Sequence, residues 1–219
     1  MRHFSRTVVI VLLTYFLGPT FATHSSCQNA QRKNDISSNA QQPPELRVII
    51  PKARGVQFLT NQIDQRAAEE NLPVLRTTLL PKDDLEVRFW SVVSHYGIDG
   101  LVLRRSANEW SSIYLYGYSQ DPNFKKYQKQ GRPPLSGWAR AWAHLVDTGI
   151  LDLPDASEVQ CNVFGYDGIT YVVETNENRP YRTYIYDNPM FAKCDEAKQM
   201  LKLIEILNSE FGLQWPTKE

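Results

Sequence analysis

The stretch YVVETNENRPYRTYIYDNP, residues 171–189, decides how the fold is read. β-Branched and aromatic residues flank a run of turn formers from Asn176 to Pro180, and that composition is the signature of a β-hairpin. A five-residue loop places Thr175 opposite Tyr181, Glu174 opposite Arg182, Val173 opposite Thr183, Val172 opposite Tyr184 and Tyr171 opposite Ile185. In that register Glu174 and Arg182 form a cross-strand charge pair worth roughly a few tenths of a kcal/mol. Tyr171, Val173, Thr183 and Ile185 then share the less charged face, which is expected to turn inward.

The other face carries Val172, Glu174, Arg182, Tyr184 and Tyr186. A solvated sheet face accounts for it, because tyrosine is a good strand residue with a polar tip. The functional alternative is a ligand-binding face of Arg182, Tyr184, Tyr186 and Glu174, since aromatic planes beside a guanidinium suit sugars, peptides or carboxylates. Asp187-Asn188-Pro189 ends the second strand in turn chemistry and leads into Met190, Phe191 and Cys194.

Beyond the hairpin, apolar spacing at Ala197, Met200, Leu201, Ile204, Leu207 and Phe211 predicts a helix over 195–211. Upstream, Asp167-Gly168 is a two-residue hairpin turn joining strands at 160–166 and 169–175. A further helix begins at Ser136, with Trp138, Trp142, Leu145 and Val146 on one stripe and Gly149 at the C-terminal capping position. Three more strands are expected near 85–93, 100–106 and 110–118, followed by the loop SQDPNFKKYQKQGRPP. Phe58, Leu59, Ile63 and Ala67 predict a helix over 56–71, preceded by a short strand from Leu46 to Pro51. Pro73 and Pro81 confine the intervening chain to extended or loop structure. The fold class is α+β: two groups of short antiparallel strands, each followed by a helix, with the helices packed on one face of the sheet.

The N-terminus places Arg2, His3 and Arg6 before an apolar run from Val8 to Leu17 and a small-residue site ending at Ala22. This reads as a signal peptide, 1–22. The apolar run of about ten residues is well short of the roughly 20 needed to span a bilayer. Residues 23–45 hold almost no large apolar side chains and read as a disordered polar tether, leaving 46–219 as a single domain with its core at about 85–211. Cys27 follows His24-Ser25-Ser26, a poor match to a lipid-attachment site, so lipid anchoring there is the lesser reading. Loss of the signal removes two of 24 basic residues against 24 acidic ones, so there is no long-range attraction to nucleic acid or anionic lipid. Export permits disulfides, and Cys161 with Cys194 is the candidate pair, closing a loop of about 33 residues; two free thiols are the alternative.

No catalytic constellation is legible. Asp147-Thr148-Gly149 has the letters of an aspartic-protease motif but sits at a helix end, where Gly149 is a cap. His144 shares the outer face of that helix with Arg140 and Asp147, and His95 lies in a turn. Neither has metal-ligand spacing, so no metal or cofactor is expected. The acids Asp152, Asp155 and Asp167 are too dispersed for calcium. G-x-S-x-G and phosphate-loop patterns are missing, and Lys125, Lys126, Lys129 and Arg132 read as a solvated loop.

At SGWARAWAHLVDTGILDLPDAS, DGITYVVE, YRTYIYDNP and EAKQM the chain resembles a family of uncharacterised exported bacterial proteins, over roughly Leu85 to Phe211. The resemblance implies a bacterial source and one domain, and carries no activity or site residue with it. The expectation is a periplasmic or secreted, non-enzymatic binding domain of the cell envelope whose partner is a protein or glycan. The competing class is an envelope-directed hydrolase that brings Asp167, His144 or Glu174 together in space, and a third is a purely structural envelope component.

Overall fold

The computed structural model describes residues 48–51, 56–93, 97–116, 128–159, 161, 168–177 and 181–217. All of them fall within one compact unit, Pro43–Glu219. The expected signal peptide, the tether with Cys27, the strand at 160–166, Asp167, His95 and most of the lysine-rich loop lie outside the described residues.

Among the described residues seven strands form one sheet: β1 (Val48–Ile49), β2 (Leu85–Val93), β3 (Gly97–Ser106), β4 (Glu109–Tyr116), β5 (Gln128–Gly131), β6 (Ile169–Glu177) and β7 (Tyr181–Asp187). Their order is β1-β7-β6-β2-β3-β4-β5, antiparallel throughout except where β1 runs parallel to β7. The helices are α1 (Val56–Glu69), α2 (Trp138–Asp147) and α3 (Asp195–Phe211). The two expected strand groups merge into one α+β sheet because β2 pairs with β6. β5 is an addition: the sequence QKQG has no strand signature and is held by its ladder to Ile113–Tyr116.

The helices that follow the strand groups share one face, as expected. Leu145 of α2 and Ala197, Met200, Leu203, Ile204, Leu207 and Phe211 of α3 pack on Leu85, Val87, Phe89, Leu101, Leu103, Tyr171 and Val173. Helix α1 precedes both groups and takes the opposite face, where Val56, Ile63 and Ala67 meet Trp90, Val102, Leu115, Val172 and Ile185. Successive strand residues such as Phe89 and Trp90 therefore enter different cores, and the central strands are buried on both sides, with Glu86, Arg88 and Glu174 among the residues on the α1 side. Gly100, directly opposite Trp90, makes room for the indole: a β-carbon there would lie 2.6 Å from the ring.

Two-sided burial also corrects the hairpin register. The observed pairs are Thr175 with Arg182, Glu174 with Thr183, Val173 with Tyr184, Val172 with Ile185 and Tyr171 with Tyr186, one residue away from the expected set. The shift collects Tyr171, Val173, Tyr184 and Tyr186 on the α2/α3 side and Val172 with Ile185 under α1, so both faces bury their large side chains. Glu174 and Arg182 consequently point to opposite faces and form no pair.

Helix boundaries follow local chemistry. Helix α2 ends in a Schellman motif, with Ile150 N donating to Leu145 O and Gly149 N to Val146 O, and Gly149 at φ +92°. Helix α3 begins at Cys194, whose Sγ accepts from Ala197 N, and ends at Gly212 with φ +63°. Arg132 donates to Phe211 O and Gly212 O, covering the terminal carbonyls. Three expected core positions are displaced: Phe58 and Val146 are 66% and 40% exposed, and Leu203 rather than Leu201 fills the α3 stripe.

Candidate functional site

The hairpin residues expected to form an outward binding face are instead spent inside the protein. Tyr184 and Tyr186 are 0% and 1% exposed. The chain leaving α2, residues 150–157, lies over them. Tyr184 Oη donates to Ile150 O at 2.9 Å and Tyr186 Oη to Pro154 O at 2.7 Å. Arg182 donates from Nη1 to Leu151 O at 2.9 Å and from Nη2 to Leu153 O at 2.5 Å, with its guanidinium 5.2 Å from the Tyr184 ring. Asp155 closes the arrangement by accepting from Ile185 N and Ser157 N. Burial pushes both phenols above their ordinary range, so they remain donors. Aromatic planes beside a guanidinium do receive a polar partner here, namely the backbone carbonyls of the chain's own loop.

Glu174, the fourth expected site residue, lies on the α1 side and is buried. Its carboxylate accepts from Trp90 Nε1 at 2.7 Å and from Tyr181 Oη at 2.8 Å. Glu86 accepts from Arg88 Nε at 2.7 Å through one oxygen and from Arg104 Nε at 2.8 Å through the other. Burial raises the Glu174 pKa, and the Arg88 charge with the two hydrogen bonds opposes that shift. All four carboxylate oxygens of this buried pair already accept a hydrogen bond, which marks a structural lattice. The exposed His144 belongs to α2, across the sheet from Glu174, so the fold does not unite these two as a hydrolytic pair. Asp147 is the last residue of α2, in keeping with its reading as a helix end.

A second aromatic and basic row lies on the α2/α3 face at the other end of the ladder. The register sets Trp110 of β4 beside Arg105 of β3, Arg105 beside Leu85 of β2, and Leu85 beside Glu177 of β6. Arg105 reaches over Leu85 to Glu177 at 3.3 Å, and its guanidinium lies 5.6 Å from the Trp110 ring. Trp138 stacks on Trp110 at 5.3 Å and 12°, and Trp142 tilts against it at 4.9 Å and 44°. Trp110, Arg105, Glu177, Trp138 and Trp142 are all half-buried. Arg105 Nε is buried without a hydrogen-bond partner among the described residues.

The backbone beside this row is strained. Ala107 and Asn108, central in the β3–β4 turn, have φ of 48° and 68°, and Asp83 has φ of 71°. Asp84 holds the turn by accepting from Ser106 Oγ at 2.8 Å and Ala107 N at 3.3 Å. Positive φ at both central residues is the geometry of a two-residue type I′ hairpin turn, which costs more at Ala107 than at Asn108. Sequence reading missed the row because its members, 85, 105, 110 and 177, are united only by strand register. The one available signal was Trp110 directly after a turn, facing a helix that carries two more tryptophans.

The Cys161–Cys194 disulfide joins the segment after the 150–157 loop to the start of α3, with Cα atoms 5.9 Å apart. Among the described residues no helix is long and apolar enough to cross a membrane. Comparison of the chain with protein-family models, with curated proteins and with solved structures gave no match.

Proposed function

We propose that this protein is an exported, non-enzymatic binding domain of the bacterial cell envelope, and that its ligand surface is the row formed by Trp110, Arg105 and Glu177 with Trp138 and Trp142 of α2. Export is supported by the basic start, apolar run and small-residue site at residues 1–22, and a bacterial source by the family resemblance. The observation that carries the placement is the contrast between two aromatic-basic sets on one sheet face. Tyr184 and Tyr186 are buried and Arg182 is bound to the carbonyls of Leu151 and Leu153, whereas Trp110, Trp138, Trp142 and Arg105 are all half-buried and keep part of their aromatic and guanidinium surface exposed. Half-buried indoles and arginine are the side chains that most often dominate binding surfaces.

The test is retention of bacterial envelope saccharide and protein fractions on the immobilised chain, comparing wild type with Arg105→Ala/Trp142→Ala. Loss of retention in that variant, with retention preserved in Phe58→Ser on the opposite face, is expected. Equal retention by all three proteins overturns the placement.

A further inference from the structure

Helix α3 brings a third group to the disulfide. Cys194 is the N-cap residue, and Glu196, two positions on, lies in the first turn. Cys161 is delivered by a turn in which its N–H donates to Ala156 O. The two sulfurs and a Glu196 carboxylate oxygen all lie within 4.8 Å of one another. A disulfide is not a metal ligand, but the two thiolates it yields on reduction are. Tetrahedral zinc, with Zn–S bonds of about 2.3 Å, holds two sulfurs about 3.8 Å apart and accepts a carboxylate oxygen at about 2.0 Å. In the disulfide the sulfurs are bonded, and once it is reduced the Cα atoms, 5.9 Å apart, leave room for rotation about the side chains to open them to that spacing beside the Glu196 oxygen.

The electrostatic surroundings favour a cation. Besides burial, the charges of Glu196, Asp155 and Glu158 all raise the pKa of the neighbouring Tyr186 phenol, so negative charge accumulates at this corner. Arg182, the cation opposing them, is committed to the carbonyls of Leu151 and Leu153. Two bare thiolates beside these carboxylates would repel, and a bound dication removes that repulsion.

We infer that reduced Cys161 and Cys194, together with Glu196, form a site for a thiophilic divalent cation of the zinc class, and that this site and the disulfide are mutually exclusive states of the same corner. Entry requires a dithiol reductant. One of its thiolates attacks Sγ of Cys194, the less buried cysteine, and Cys161 leaves as a thiolate. The reductant's second thiol then displaces Cys194 from the mixed disulfide, so the reductant is oxidised to its own disulfide and the protein gains two thiols. Cation binding releases their two protons, Glu196 supplies one oxygen, and water completes the tetrahedron. The ligand-binding role proposed above is not needed for this inference.

Cobalt(II) is the probe, applied to the full chain after reduction with dithiothreitol and anaerobic removal of the reductant. One equivalent is expected to give a thiolate-to-cobalt charge-transfer band and tetrahedral visible bands, both bleached by zinc, and the oxidised chain should give neither. Glu196→Gln, at a half-buried position in the first turn of α3, should weaken binding by at least about tenfold while both thiolate ligands remain. Near-UV circular dichroism of the tryptophans reports whether the reduced chain stays folded. A reduced chain without the charge-transfer band overturns the inference. So does cobalt affinity that is the same with and without the Glu196 carboxylate, whether the chain is folded or not.

Discussion

Two rows of aromatic and arginine side chains lie on the same face of the same sheet, and the fold treats them differently. At Arg182, Tyr184 and Tyr186 the chain leaving α2 lays five consecutive residues across the row, and four of their carbonyls accept from both phenol hydroxyls and both terminal nitrogens of the guanidinium. At Trp110 and Arg105 the cover is a helix that brings its own indoles, so ring packs on ring and the guanidinium makes two long contacts through one nitrogen, to Glu177 at 3.3 Å and to Asp83 O at 3.4 Å. Residue types alone do not separate a ligand surface from an internal clamp. The separation depends on how closely the chain's own acceptors bind the row, and here the short contacts come from the 150–157 segment. The closed row should therefore matter to stability and the open row to binding.

The largest effect is expected from breaking the closed row. Tyr184→Ala empties a fully buried aromatic site and leaves Ile150 O unpaired, and should cost about 3–5 kcal/mol in chemical denaturation. Tyr184→Phe keeps the packing and removes only the hydroxyl, which should cost about 1–3 kcal/mol. If neither change moves the denaturation midpoint, the 150–157 segment is not bound as described.

Replacing both Cys161 and Cys194 by serine should cost about 3–4 kcal/mol, because the bridge closes a loop of 33 residues that includes the entire β6–β7 hairpin. Combined with Tyr184→Phe, this change tests whether bridge and clamp act on one unit. Coupling of more than about 0.5 kcal/mol in the double-mutant cycle is the expected result.

In the open row, Arg105→Ala removes a partly exposed ion pair and should change stability by about 1 kcal/mol or less. Together with Trp142→Ala, the same substitution is the one expected to abolish retention of envelope ligand. A large stability loss without any effect on binding would reverse the roles assigned to the two rows.

Much of this architecture was legible because its elements have clean periods. Strands at 85–93 and 181–187 and the helix at 195–211 match the observed bounds, since two-residue alternation or apolar helical spacing runs their whole length. Register was not legible. The expected hairpin left one face to water, and nothing near residues 171–189 announces that α1, more than a hundred residues earlier, covers that side. The candidate site was hidden for the same reason: Glu177 and Arg105 meet only because β2 lies between β6 and β3. β5 was missed because QKQG takes its strand geometry from Tyr116 and its neighbours rather than from its own side chains.

The smallest expected effect lies beneath α1, where Glu174 tests whether a buried charge lattice behaves like the closed row on the other face. Burial raises its folded-state pKa above the unfolded glutamate value. In the window between those two values the folded protein binds more protons than the unfolded chain, so stability falls as pH rises through it and is recovered on acidification. Glu174→Gln removes the titration while an amide oxygen can still accept from Trp90 and an amide N–H can donate to the Tyr181 hydroxyl. Urea denaturation from about pH 4.5 to pH 8 should therefore show wild type losing stability relative to the glutamine variant as pH increases. A difference that is flat with pH, or one that grows in favour of wild type toward pH 8, would mean that Arg88 and the two donors outweigh burial and hold this carboxylate ionised.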